Sequence, residues 1–333
     1  MPTILITRPE YRKAQTFFEN ASRNSDWRIL PAEPDEAAFL EAIAKNHARL
    51  AIIGMVRYSE AVYQALAQNA AQTSPAVLSR FGVGTDNVNR DFARKWNVRL
   101  SNTPNVLNHS VAEHTIWLLG AAAKRLGQAN DSLKKGLFLP QTGMELYGKK
   151  LLIAGLGGIG RETARIAHFG LGMNVFAFGR RSLKELSAAE NVSPAHFLET
   201  AGLSGYSNRL EDFLPEADAV CVLLASSPET FHFFDARRLD LLRKNVLFVN
   251  TSRGALVDEN ALFDFLLKNP DAFASLDVFE TEPYQPQDPT RDLRSLPNTF
   301  LTAHHASSTW DANAAIGRCA LENTQKLAIN QGV

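Results

Sequence analysis

Short apolar runs recur along the chain, each closed by small or polar residues and followed by a stretch with helical spacing. In the N-terminal third, residues 4–7, 50–53, 77–81 and 99–101 predict strands, and residues 10–21, 60–68 and 89–96 predict helices. The run at 77–81 leads into the turn Gly82-Val83-Gly84-Thr85-Asp86. A long helix is expected from Ser110 to about Lys124, with Ser110 and Glu113 spaced as a capping box. Its residues Val111, Ile116, Leu118, Leu119 and Ala122 call for deep burial. A loop over 134–148 follows. Six further strands are expected at 151–154, 174–178, 219–224, 246–250, 274–278 and 299–302, with helices between them. Residues 187–208 carry Gly, Pro and Ser without clear period and read as a surface insertion. A helix from Asp311 to about Ile329 ends the pattern.

This alternation predicts an α/β protein with two doubly wound, mostly parallel sheets. A length of 333 residues also favours two domains. The first sheet lacks a closing element, and the last helix can supply it by crossing back. Residues 1–101 and 303–333 are therefore expected to form a substrate domain, wrapped around a dinucleotide-binding domain at 102–302. Lys plus Arg and Asp plus Glu both total 35, so the basic excess typical of a nucleic-acid binder is absent. No apolar stretch approaches a membrane span, and the N-terminus lacks the features of a secretion signal. Cys221 and Cys319 do not make a disulfide framework, which fits a cytoplasmic setting.

Candidate chemistry begins at Gly155-Leu156-Gly157-Gly158-Ile159-Gly160, between a predicted strand and a predicted helix. Gly155 suits a sharp turn, Gly157 lets a pyrophosphate approach the backbone, and Gly160 lets the helix lie on the sheet. Gly158 and Ile159 would add N–H groups at the helix start. An NAD site wants a carboxylate at the end of the next strand, to hold the ribose 2′-OH. Here the residues are Gly179-Arg180-Arg181, with Ser182 as a further donor. Two guanidiniums and no carboxylate favour a 2′-phosphate, so NADP(H) is expected in preference to NAD(H). Three later strands end at Arg253, Glu282 and His304. His304 can deliver a proton to a carbonyl oxygen as hydride arrives, and Glu282 can stabilise and orient the imidazolium. Arg253 can polarise the carbonyl and pair with a carboxylate. Thr251 and Asp277, in the same segments, are expected at the cofactor. N–H groups of Val83 and Gly84 can bind a substrate carboxylate from the other domain, and Arg57 can read a second anionic group or stand solvated. No His/Cys cluster has metal-ligand spacing, so no catalytic metal is expected.

With these segments in order, the chain resembles the D-isomer-specific 2-hydroxyacid dehydrogenases over nearly its whole length. The match includes Phe81–Asn87, Asn102-Thr103-Pro104-Asn105, Val111-Ala112-Glu113, the glycine motif, Asn250–Gly254, Asp277–Pro283 and His304. The resemblance implies a flavodoxin-like substrate domain and a Rossmann cofactor domain with a cleft between them. It also implies Arg253, Glu282 and His304 as the catalytic set, a small 2-keto or 2-hydroxy acid as substrate, and a homodimer joined through the cofactor domain. The Gly-Arg-Arg stretch looks like the NADP-preferring glyoxylate/hydroxypyruvate reductase branch. The chain departs from the family pattern at Ala303, usually Pro, and at Ala225-Ser226-Ser227, often Pro-Leu-Thr. Phe138 stands in for a tryptophan common in the dimer-exchanged loop. His305 follows His304 directly and competes with it, but the strand register and the Ala-Ser that follows favour His304. Two other readings share the scaffold: an NAD-linked phosphoglycerate-type dehydrogenase and a dinucleotide-sensing interaction protein. A formate-oxidising relative would carry Gln in place of Glu282.

Overall fold

The structure, a computed structural model, describes residues 1–71 and 73–329. The chain divides into two compact units, Met1–Leu107 with Ser307–Val333, and Asn108–Ala306.

In the first unit the strands are β1 (Thr3–Thr7), β2 (Arg28–Ala32), β3 (Leu50–Ile53), β4 (Ala76–Arg80) and β5 (Val98–Ser101). They pair in the order β2-β1-β3-β4-β5, all parallel, which is the flavodoxin-like winding. β1, β3 and β4 are buried at every position, as a parallel sheet covered on both faces requires. The C-terminal helix, Trp310–Ala328, starts at the N-cap Thr309 and belongs to this unit. Thr324 donates to the Ser79 hydroxyl of β4 at 2.7 Å, and Asn323 donates to Asn102 O at 2.9 Å.

Two elements appear that the pattern did not announce, and two local expectations give way. β2 and the helix Glu36–Asn46 had no clear sequence signal. β2 is an edge strand holding Pro31, with only Ile29 and Ala32 buried, so its alternation is weak. The expected helix at 10–21 is two helices, Arg8–Lys13 and Gln15–Arg23, broken at Ala14. The long helix spans Asn108–Lys124, which places Ser110 in its first turn rather than at the cap.

The second unit is built on β6 (Lys150–Ala154), β7 (Asn174–Phe178), β8 (Gly205–Ser207), β9 (Ala219–Val222), β10 (Leu247–Asn250), β11 (Phe273–Leu276) and β12 (Thr299–Leu301). The order is β12-β11-β10-β9-β6-β7-β8, again all parallel. Read from β8, this is the dinucleotide-binding winding with one strand added, and it reverses between β6 and β9. Alternate residues feed opposite faces. Leu152, Ala154, Val220, Val222 and Phe248 join one core, while Leu151, Ile153, Ala219, Cys221 and Val249 join the other. The segment 187–208 is not an irregular insertion. It contains the helix Pro194–Ala201, capped by Ser193 with Pro at its first turn, and then the edge strand β8. A three-residue strand at a sheet edge is too short to show a period, which hid it in the sequence.

Candidate active site

Gly155 follows β6 at the point where the strand order reverses. Its φ is +111°, and a Cβ there would run into the Leu223 carbonyl beyond β9. Gly157 is the N-cap of the helix Gly158–Arg165, and a Cβ on it would meet nothing within 4 Å. Gly160 presses on the Gly155 carbonyl and admits no Cβ, while a Cβ at Gly158 would displace the end of the Asn108 side chain. The first-turn N–H groups of Gly158, Ile159 and Gly160 have no partner within the helix, and the approach at Gly157 is open. These residues fit the diphosphate of a dinucleotide.

At the end of β7, Arg180 and Arg181 are exposed, and among the described residues neither lies within ion-pair distance of a carboxylate. Ser182 is committed elsewhere. It caps the helix Leu183–Ala189 in a capping box, with its hydroxyl donating to Glu185 at 2.8 Å and accepting from Glu185 N. The helix start thus takes the hydroxyl that the sequence offered to a phosphate.

The three chemical side chains come from three neighbouring strand ends. His304 Nδ1 lies 2.7 Å from Glu282 Oε2, and Glu282 Oε1 accepts from Phe279 N at 3.1 Å. With Nδ1 facing the carboxylate, Nε2 is the nitrogen left to meet a substrate. Burial works to raise the Glu282 carboxyl. The hydrogen bond and charge of His304, the Phe279 N–H and the Arg253 guanidinium outweigh it and hold the group below its ordinary range. Arg253 therefore belongs to the same electrostatic group as the His304–Glu282 pair. Its loop is tied down by Asn250, which donates to Arg253 O at 2.9 Å and accepts from Ser252 N at 3.1 Å. Gly254 lies directly on the Phe279 backbone, so the Arg253 and Glu282 loops pack with no side chain between them. His305 does not face Glu282. Its ring stands edge-on to His114 at 4.9 Å.

Asp277 and Thr251 have structural places rather than exposed ones. Asp277 is fully buried. Its carboxylate accepts from the Thr302 hydroxyl at 2.6 Å, His305 N at 3.0 Å and Ala306 N at 2.9 Å, while its own carbonyl accepts from His304 N at 2.7 Å. Burial alone would raise this carboxyl, but His114, Thr302 and the two N–H groups bring it down to about 2. Asp277 thus shapes the turn in which His304 sits at φ +48°. No surface of the carboxylate is left for a cofactor. The buried Thr251 hydroxyl meets that of Thr115 at 2.6 Å. His114, Asp277 and His305 hold ligand-type atoms within 4.8 Å of one another, a grouping invisible in sequence spacing. The chain's own donors already occupy both Asp277 oxygens.

Arg57, Val83 and Gly84 lie in the first unit. Gly82 turns at φ +135°, Asn102 donates to Val83 O at 2.7 Å, and Thr103 N donates to Gly82 O at 3.1 Å. The loop of Arg57 is held beside this turn by Asn87, which donates to Gly54 O at 2.8 Å and Val56 O at 3.0 Å. Arg57 itself is exposed.

A buried acidic cluster braces the Glu282 loop, and sequence spacing gave no sign of it. His232 Nε2 lies 2.9 Å from Glu280 Oε2, and Glu280 N donates to Glu259 Oε1 at 2.7 Å. Burial pushes the Glu259 carboxyl up to about 7; the Glu280 N–H opposes this, and the charges of Glu280 and Glu282 add to it. A carboxyl raised on folding keeps its proton where the unfolded chain has lost it. Stability should therefore fall as pH rises from about 4.5 to about 7. Glu259→Gln should flatten this part of the profile, read from urea midpoints across that range. Identical slopes in the two proteins would show that Glu259 does not titrate there.

Known proteins resemble the chain over most of its length. Residues 116–306 match the family described as D-isomer specific 2-hydroxyacid dehydrogenase, NAD binding domain. Glyoxylate/hydroxypyruvate reductase B of Escherichia coli is 33% identical over 250 residues, covering 74% of this chain and 72% of that protein. D-3-phosphoglycerate dehydrogenase of Methanocaldococcus jannaschii is 33% identical over 253 residues, covering 75% of this chain. The match spans only 45% of that longer relative. Among solved structures, the TT0316 protein of Thermus thermophilus aligns over 99% of this chain and 97% of its own, with a TM-score of 0.80 and 26% identity. A glycine cradle at the sheet's reversal and an imidazole–carboxylate pair beside a guanidinium thus occur in a chain that belongs to the D-isomer-specific 2-hydroxyacid dehydrogenases, NAD(P)-dependent enzymes acting on CH–OH donors.

Proposed function

We propose that the chain is a reductase of small 2-keto acids of the glyoxylate or hydroxypyruvate type, using NADP(H) in preference to NAD(H). The observation that carries the chemistry is the 2.7 Å His304–Glu282 pair with Arg253 acting on the same carboxylate. The cofactor, when bound, supplies the hydride. His304 Nε2 gives the proton to the carbonyl oxygen in reduction and takes it back in oxidation. Glu282 keeps the ring oriented and stabilises its charged form. Arg253 binds the substrate carboxylate and polarises the carbonyl. In the first unit, the Val83–Gly84 turn offers N–H groups to an anion, with Arg57 in the adjacent loop. The name of the Escherichia coli relative supports the substrate class. Arg180 and Arg181 in place of a carboxylate support NADP(H) over the phosphoglycerate-type reading.

Further proposals concern the setting. Leu126, Leu133, Leu137, Phe138, Leu139 and Tyr147 are exposed along one stretch of the second unit, which supports a homodimer formed through that unit. Light scattering should give twice the chain mass. Among the described residues no helix is long and apolar enough to cross a membrane, and two free cysteines suit a reducing compartment, so we place the enzyme in the cytoplasm.

His304→Ala should cut turnover by about a hundredfold or more, while His305→Ala should keep most of it. The opposite ranking would move the acid–base role to His305. Glu282→Gln loses the carboxylate that orients the ring and should cut turnover while leaving cofactor affinity nearly unchanged. Arg253→Lys keeps the charge but loses the planar fork, and should cost about 2–4 kcal/mol in kcat/KM. Near-native kinetics would remove Arg253 from the site. For the nucleotide, kcat/KM with NADPH should exceed that with NADH by about tenfold or more, with glyoxylate, hydroxypyruvate, pyruvate and bulkier keto acids tried in turn. A ratio at or below unity would favour the phosphoglycerate-type enzyme.

A further inference from the structure

The turn Gly179-Arg180-Arg181 is held by one residue of β8 and one just beyond it. The Asn208 amide nitrogen lies within hydrogen-bond distance of three successive carbonyls, Gly179 O at 2.8 Å, Arg180 O at 3.0 Å and Arg181 O at 2.8 Å, which share its two N–H groups. The Tyr206 hydroxyl donates to Arg181 O as well. All three carbonyls of the turn are therefore gathered on the side of β8, and both arginine side chains are left exposed and outside any ion pair among the described residues. The tyrosine also fills space. A Cβ on Gly179 would stand 2.6 Å from the Tyr206 hydroxyl oxygen, while the next ring atom is 3.5 Å away, an ordinary contact.

We propose that Tyr206 and Asn208 are the positioning residues that set nucleotide choice. They fix the turn in the form that offers two guanidiniums to a phosphate monoester, and the single hydroxyl of Tyr206 denies position 179 to an acidic side chain. This rests on the NADP(H) reading above. It adds that the preference is a property of the clamped turn, and that the arginines alone do not produce it. An unclamped turn would have to be ordered at the moment of binding, and that cost falls on the ligand that uses the turn. NADH, which lacks the 2′-phosphate, would not bear it.

Titrating NADPH and NADH by the fluorescence of the reduced ring separates the two claims. Wild type should bind NADPH at least about tenfold more tightly than NADH; equal affinities would sink the NADP(H) reading, and the present inference with it. Given that preference, Asn208→Ala should weaken NADPH about five- to tenfold and NADH less than about twofold, at an unchanged thermal midpoint. A structural role alone would weaken both alike, and that outcome overturns the inference while leaving the preference standing. Gly179→Asp should lose NADPH without gaining NADH, because the new side chain meets the tyrosine. Adding Tyr206→Phe removes the one obstructing atom, and the double variant should bind NADH more tightly than either single variant. If Gly179→Asp alone already gains NADH, the tyrosine is no barrier and this part of the inference is wrong.

Discussion

The buried carboxylate of Asp277 is the constraint on which the chemical site depends. It stands just beyond β11 and reaches across to the chain leaving β12, where it receives a hydroxyl and two backbone N–H groups. Such a group is costly to bury without partners and strongly held with them. Its partners are spaced over Thr302 to Ala306, so they bend the chain around the carboxylate and set His304 in a left-handed conformation at the mouth of the turn. Substituting the carboxylate would release the His304 turn without touching the imidazole itself.

Glu282 is placed by a second, independent brace. It follows Asp277 by only a few residues in the loop after β11, which folds back so that the Glu282 carboxylate meets Phe279 N and His304 together. Glu259, Glu280 and His232 fasten the start of that loop, and Gly254 lets the Arg253 loop lie against its backbone. Neighbouring parallel strands end at the same edge, and short polar clamps convert that common edge into a fixed set of distances. A hydrogen bond of 2.7 Å between imidazole and carboxylate needs both loops held to a few tenths of an ångström.

The nucleotide end follows the same logic with weaker parts. Gly155 and Gly160 are dictated by backbone contact, so their identities are fixed by packing alone. The arginine turn is exposed and has no core to set its shape. Its order comes from a phenol on the edge strand β8 and an amide just beyond that strand's end. Strand β8 has no function visible in its own composition; its contribution lies in what it presents to the turn beside it.

Much of this was legible in the residues alone. Apolar runs fixed the central strands, because a strand buried on both faces must be apolar throughout. The glycine motif and the ends of three later strands pointed to a candidate cofactor cradle and to Arg253, Glu282 and His304, which the fold brings to neighbouring strand ends, since those chemistries demand particular residue types there. What stayed hidden was everything set by contacts distant in sequence. Edge strands β2 and β8 bury too little to show a period. The burial of Asp277 depends on neighbours that only folding supplies; the cap role of Ser182, by contrast, is local and was readable in its three-residue spacing from Glu185. Between His304 and His305 the sequence leaned to His304 through strand register, but adjacent residues share composition and context, and only the backbone turn around Asp277 shows one ring against Glu282 and the other against His114.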